Sequence, residues 1–112
     1  MNTLLEVVQK AIHEKRGENV LLFDFRSVSP FIEYCGIVTA ASSRQIQALA
    51  AGIRERVREN GFEVRAIEGG QQSSWVLVDL DSVIIHIFDG EERRRFALEK
   101  LYADLPCEDF NL

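Results

Sequence analysis

Two apolar segments, residues 75–80 and 83–88, are separated by only two residues, and this spacing constrains the fold of the chain most strongly. Both segments are rich in β-branched and aromatic residues, which favour strands, and two-residue loops are the commonest connections in β-hairpins. The connecting residues Asp81 and Ser82 include no glycine, although such turns usually prefer one. The spacing predicts an antiparallel hairpin, which needs further strands or helices to be stable.

The rest of the chain predicts three helices and three more strands. Apolar residues recur at helical spacing in three segments, and each segment begins with a capping box. Further strands are predicted at residues 20–25, 33–39 and 62–67. Because helical crossovers separate some strands and a hairpin joins others, we expect an α/β or α+β fold with a mixed five-stranded sheet. The capping boxes are Thr3 with Glu6, Ser42 with Gln45, and Asp89 with Glu92.

The C-terminal end and the chain length complete the fold prediction. Phe96, Ala97 and Leu101 are expected to be buried by the last helix, which Pro106 stops. The tail from about residue 107 is expected to be frayed, since chain ends are often poorly ordered. With 112 residues, of which 46% are hydrophobic, the sequence predicts one compact domain spanning residues 1–112.

Side chains alternate across a strand, so the predicted hairpin has two unlike faces. One face is aliphatic and is expected to lie in the core. The other face, here called the mixed face, is a candidate partner surface because three modest helices are too few to cover both sides of the sheet. Alternatively, the last helix covers it and Trp75 belongs to the core. The core face comprises Val76, Val78, Leu80, Val83, Ile85 and Ile87. The mixed face comprises Trp75, Leu77, Asp79, Ile84, His86 and Phe88.

Charge and hydropathy restrict the partners of the chain. The formal net charge of −5 argues against a phosphate-binding domain, so no sequence-specific nucleic-acid binding is expected. Acids dominate residues 63–92, where Arg65 is the only Lys or Arg, while basic residues gather at 44–58 and 93–95. This segregation favours a basic protein partner, or it serves only solubility. No apolar run approaches the ~20 residues of a membrane span, and the start lacks a signal-peptide pattern, which predicts a cytoplasmic protein without a membrane partner.

An acidic pair offers the main alternative function. Asp79 and Asp81 stand at alternate positions and could hold magnesium for nucleotidyl transfer. The hairpin turn is expected to pull Asp81 out of the strand register, and a further carboxylate is missing. We therefore expect no catalysis at this pair.

Other polar residues give weaker indications. Ser42, Ser43 and Arg44 at a helix N-terminus could bind an anion, although capping explains the serines equally well. His86 lacks a second ligand at metal-binding spacing, and the two cysteines, Cys35 and Cys107, are far apart. No metal or other cofactor is therefore expected.

From about residue 20 to residue 104 the chain resembles the ribosome-silencing factor family, also called the Iojap-like family. The resemblance lies in four stretches whose order and spacing cover most of the chain. It departs from the family pattern at Glu33, Gln45, Tyr102 and the Asp81-Ser82 turn. The four stretches are TAASSRQIQALA (39–50), GFEVRAIEG (61–69), WVLVDLDSVIIHIF (75–88) and EERRRFALEKLYAD (91–104).

The resemblance implies a nucleotidyltransferase-like fold without catalytic activity. It also implies binding to the large ribosomal subunit through the ribosomal protein L-fourteen, which blocks association with the small subunit and represses translation. In some relatives the role is tied to maturation of the large subunit. Carried over position by position, the expected contacts are Ser42, Ser43, Arg44, Trp75, Asp79, His86, Glu91, Arg93 and Arg94.

Three functional hypotheses remain at this point. The chain is a ribosome-binding translational repressor, a magnesium-dependent nucleotidyltransferase, or a generic dimerising domain. A homodimer that buries the mixed face in the free protein is compatible with the first and the third.

Overall fold

A computed structural model describes residues 3–112, within which six strands form one sheet with helices packed on both faces. The predicted mixed α+β class is confirmed, although the sheet has six strands where we expected five. The helices are α1 (Thr3–Glu14), α2 (Ser43–Glu59), α3 (Gly90–Phe96) and α4 (Leu98–Leu101). The strands are β1 (Glu18–Asp24), β2 (Tyr34–Ala40), β3 (Ala66–Glu68), β4 (Trp75–Asp79), β5 (Val83–Asp89) and β6 (Cys107–Asp109).

The sheet has the order β3-β4-β5-β2-β1-β6. Its central strands β2 and β5 run parallel, and the other neighbouring strands are antiparallel. Parallel strands need a crossover connection, and α2 lies within the connection from β2 to β5. The predicted hairpin is present as β4 and β5, with Asp81 in the left-handed conformation at φ 75°. β3 is shorter than the strand predicted at 62–67.

The main core lies between the aliphatic hairpin face and the helices α1 and α2. All six predicted core residues of the hairpin are at most 4% exposed, which confirms that face. Val8 and Ile12 of α1 and Leu49 and Ile53 of α2 pack against it at 1% exposure or less. Burial of each such side chain contributes roughly 1.5–3 kcal/mol, so this contact orients both helices on one side of the sheet.

The prediction of a frayed tail was wrong, because the C-terminal residues extend the sheet. Strand β6 pairs antiparallel with β1, with Phe23 opposite Cys107. Beyond it, Phe110 is 6% exposed and lies in the main core. Gln9 of α1 donates from Nε2 to the Phe110 carbonyl oxygen at 3.1 Å. The tail is ordered because it satisfies backbone groups at the edge of β1 and buries an aromatic ring.

The last helix also differs from its prediction. Ala97 adopts the left-handed conformation (φ 49°) and separates α3 from α4. Phe96, the last residue of α3, is 45% exposed and Leu101 of α4 is 76% exposed, where both were expected to be buried on one continuous helix. The residues that pack instead on Phe23, Ile37 and Phe88 are Leu98, Tyr102 and Leu105.

Candidate partner-binding face

The strand register places the residues of the mixed face side by side. Across β4 and β5, Trp75 is opposite Phe88, Leu77 is opposite His86, and Asp79 is opposite Ile84. Phe88 is 1% exposed and His86 is 7% exposed, whereas the other four residues are half-buried. The chain segment from α3 to Leu105 therefore covers the Phe88 end of the face and contacts Trp75 through Phe96, while Leu77, Asp79 and Ile84 stay partly accessible.

Beneath the segment from α4 to Leu105, the sheet is a conventional core. Tyr102 packs edge-on against Phe23 and Phe25, with ring centroids 5.4 and 4.9 Å apart. Burial raises the pKa of the neighbouring Cys35 thiol to about 12, so this cysteine stays a neutral thiol near pH 7. Cys35 is thus a small, buried residue of β2.

At the border of the covered region, four rings form an aromatic cluster: Trp75, His86, Phe88 and Phe96. Trp75 stacks on Phe88 with centroids 5.0 Å apart and contacts Phe96 at 4.6 Å. Its indole Nε1–H donates to His86 Nδ1 at 3.1 Å. Because this hydrogen bond uses the polar edge of the indole, the surface that Trp75 and Phe96 offer to a partner is carbon.

His86 is a nearly buried member of the mixed face, and its ring lies against that of Trp75. Burial lowers the pKa of its imidazole to about 4, so the ring is neutral near pH 7. Because Nδ1 accepts the indole hydrogen bond, the neutral ring must be the tautomer that carries its proton on Nε2. The ring is 7% exposed and is hydrogen-bonded to Trp75, so most of its surface is already used inside the protein, and direct contact of His86 with a partner stays a prediction.

Asp79 lies at the other end of β4, four residues or about 13 Å from Trp75 along the strand. Its Oδ1 accepts from the backbone N–H of Asp81 at 2.8 Å. Arg65 lies 3.9 Å from Asp79 Oδ2 and 3.5 Å from Asp81 Oδ1. The carboxylate therefore braces the hairpin turn, and a guanidinium partly neutralises the acidic pair.

The positions of Asp79 and Asp81 also determine whether this pair could hold magnesium. Asp81 lies in the turn, as predicted, and its side chain is 82% exposed while that of Asp79 is 17% exposed. Within residues 3–112, no group of three His, Cys, Asp or Glu side chains is arranged to hold a metal ion. The pair therefore does not match the carboxylate arrangement that two-metal transfer needs.

The other predicted contacts meet near the Trp75 end of the hairpin. Ala40 of β2 is opposite Asp89 of β5, and the chain continues from these residues into α2 and α3. The Ser42 hydroxyl accepts from the Gln45 backbone N–H at 3.2 Å, which confirms its capping role. The predicted contacts that follow these two parallel strands are Ser42, Ser43 and Arg44 after β2, and Glu91, Arg93 and Arg94 after β5.

Arg93 is used internally, unlike its exposed neighbours Glu91 and Arg94. It is 8% exposed, and its guanidinium donates to the Asn19 carbonyl oxygen, to Thr39 Oγ1 at 2.7 Å and to Glu99 Oε2 at 3.3 Å. These bonds fix α3 to β1 and β2. A buried arginine with these bonds cannot leave them without a large cost, and its contact with a partner stays a prediction.

Comparison with known proteins identifies the family of this chain. The family model described as "Ribosomal silencing factor during starvation" matches residues 1–111. The chain belongs to this ribosomal silencing factor family. Membership makes it a regulator of translation and confirms the family resemblance drawn from the four sequence stretches.

Individual relatives agree with this assignment. The ribosomal silencing factor RsfS of Bacillus subtilis is 37% identical over 97% of this chain and 92% of its own length. A crystal structure from Bacillus halodurans has a TM-score of 0.82 at 32% identity, covering 95% of this chain and 96% of that one. The chloroplastic protein Iojap of Zea mays is 28% identical over 85% of this chain and 41% of its own length.

Sequence reasoning missed that Phe96 belongs to the accessible surface of this silencing factor beside Trp75. Helical spacing assigned it to the core of one continuous helix, and the left-handed residue that ends α3 after it is an alanine, which carries no sequence indication of that conformation. Across the described residues 3–112, no helix is long and apolar enough to cross a membrane.

Proposed function

We propose that this protein represses translation by binding the large ribosomal subunit through L-fourteen and sterically blocking the small subunit. It acts in the cytoplasm, by binding and not by catalysis, and the same contact supports maturation of the large subunit. The observation that carries the proposal is the carbon surface formed by the half-buried Trp75 and the exposed Phe96 in a chain that the family model matches almost from end to end. Exposed aromatic residues with charged neighbours are typical anchors of protein interfaces.

The proposed contact set takes account of burial. Trp75 and Phe96 form its apolar centre, with Leu77 and Ile84 beside them. His86 and Arg93 hold this surface in place from inside. The charged and polar rim comprises Ser42, Ser43, Arg44, Asp79, Glu91 and Arg94. A formal net charge of −5 favours approach to a basic protein surface, and the free protein forms a homodimer through the same apolar centre.

Sedimentation with separated ribosomal subunits tests the proposal. The purified protein is expected to pellet with large subunits and to reduce the yield of joined ribosomes when small subunits are added. An excess of protein that neither pellets with large subunits nor changes joining refutes the proposed function.

Two substitutions test whether the mixed face makes the contact. Trp75→Ala removes the aromatic anchor and is expected to weaken binding by about 2 kcal/mol, roughly thirtyfold. Asp79→Lys reverses a rim charge and is expected to slow association with a basic surface. Glu55→Lys, at an exposed position of α2, is the control and is expected to bind like the parent. Thermal unfolding of each variant separates lost contact from lost fold, and unchanged binding of both folded face variants shows that the face is wrong.

A further inference from the structure

His86 is a buried polar residue beneath the accessible part of the mixed face. Ile37 is its neighbour in β2 and Leu77 its neighbour in β4, so the strands on both sides place aliphatic residues beside it. Its ring centroid lies 5.8 Å from that of Trp75 and 6.1 Å from that of Phe88. An aliphatic or phenyl side chain would fill this space with a smaller desolvation cost, so packing alone does not explain a histidine here.

The polar contact of His86 within the described residues is one hydrogen bond, which its Nδ1 accepts from the indole Nε1–H of Trp75 at 3.1 Å. Stacking on Phe88 does not by itself determine the indole orientation, because the ring presents a flat surface to Phe88 in either of two flipped orientations. The hydrogen bond distinguishes them, since only one orientation directs Nε1–H toward Nδ1. A buried indole N–H that lost its acceptor would turn toward water.

We propose that His86 is a positioning residue for partner binding, whose Nδ1 holds the Trp75 indole so that its carbon surface stands beside Phe96 in the free protein. This inference rests on the proposed function, because it assumes that Trp75 contacts the partner. An anchor that is already ordered loses less conformational entropy on binding than one that reorients. Loss of the acceptor is therefore expected to weaken binding about three- to tenfold, the effect of freeing one large side chain.

Two variants separate hydrogen bonding from packing. His86→Phe keeps an aromatic ring against Trp75 and Phe88 but removes the acceptor. His86→Asn loses the ring but places an amide oxygen near the former position of Nδ1. A positioning role predicts that the asparagine variant binds large subunits more tightly than the phenylalanine variant, whereas a packing role predicts the reverse order. His13→Phe, at the exposed histidine of α1, is the matched control.

The sequence contains a single tryptophan, so the hydrogen bond has its own spectroscopic readout. In the ¹⁵N-labelled protein the indole N–H gives one cross-peak, whose exchange with solvent protons is measurable. We expect slow exchange in the parent and in His86→Asn, and exchange at least about tenfold faster in His86→Phe, because a hydrogen-bonded proton exchanges only after the bond opens.

Binding and exchange together decide the inference. Faster exchange and weaker binding of His86→Phe, with His86→Asn closer to the parent, support it. It is overturned if folded His86→Phe binds like the parent, if His86→Asn binds more weakly than His86→Phe, or if the parent indole exchanges as fast as a free one. The last outcome needs no variant and so holds even if a substitution prevents folding. A parent protein that fails to bind large subunits refutes the proposed function and this role together, whereas the other outcomes leave the proposed function intact.

Discussion

At the scale of single residues, the side chains of the mixed face and of α3 differ in whether they reach the surface or bond inside the protein. Trp75 and Phe96 present carbon at the surface, while His86 and Arg93 are buried and hydrogen-bonded inside the protein. Asp79 is intermediate, because it is partly accessible and also accepts the Asp81 backbone N–H. Residue type alone therefore does not tell which of these side chains are accessible, and burial must be considered first.

The buried histidine predicts a dependence of stability on pH. The pKa of His86 is about 4 in the folded protein against 6.5 for an unperturbed histidine. Between these pH values the unfolded chain binds more protons, so the free energy of unfolding falls as the pH is lowered. The fall is expected to reach about 3 kcal/mol by pH 4, since each pKa unit corresponds to about 1.4 kcal/mol.

Urea denaturation at several pH values checks this prediction. The parent is compared with His86→Phe, which retains the carboxylates and His13 but lacks the buried imidazole. The parent should lose more stability than the variant between pH 6.5 and pH 4. Parallel curves for the two proteins contradict the assignment of the titration to His86.

At the scale of elements, two long-range contacts attach the C-terminal elements to the sheet. Arg93 connects α3 to the Asn19 carbonyl oxygen and to Thr39 of β2. The C-terminal segment pairs with β1 through β6 and inserts Phe110 into the core. These contacts make the last quarter of the chain part of the sheet architecture.

Removal of the Phe110 ring tests the contribution of the tail. Phe110→Ala is expected to lower the free energy of unfolding by about 3 kcal/mol, because it leaves a cavity where a ring is now 6% exposed. Leu112→Ala, at a residue that is 64% exposed, is the control and is expected to change stability by less than about 0.5 kcal/mol. Equal, small effects in chemical denaturation would mean that the tail contributes little.

The junction between α3 and α4 predicts a stabilising substitution. Ala97 has φ 49°, a conformation that costs L-residues roughly 1–2 kcal/mol but is free for glycine. Part of this gain is lost to the greater entropy of glycine in the unfolded chain. Ala97→Gly is therefore expected to raise the free energy of unfolding by up to about 1 kcal/mol. Ala103→Gly, at an exposed position without positive φ, should not be stabilising in the same denaturation assay.

At the scale of the whole molecule, the central parallel strands β2 and β5 place two helix starts beside the Trp75 end of the hairpin. This arrangement gathers most of the proposed contact set on one region, while Asp79 and the turn occupy the far end of β4. The proposed contact set therefore forms a broad surface, and the acidic pair lies at its margin.

The position of that pair predicts that the protein does not transfer nucleotides. Arg65 lies within 4 Å of both Asp79 and Asp81, and the turn directs Asp81 away from the strand register. Incubation with a labelled nucleoside triphosphate and magnesium is expected to give no product above the level of Asp79→Ala. Robust label transfer that this substitution abolishes would restore the catalytic hypothesis.

The sequence by itself determined the features that depend on neighbours along the chain. Period-two alternation defined both hairpin faces, capping boxes located the starts of α2 and α3, and the four matching stretches indicated the family. Only the tertiary structure decided the features that depend on distant partners. Phe110 meets Gln9 across 101 positions and Arg93 meets Asn19 across 74, separations at which local periodicity carries no information. The burial of His86 likewise results from strands on both sides, so the chemical role of its side chain followed from packing and not from spacing.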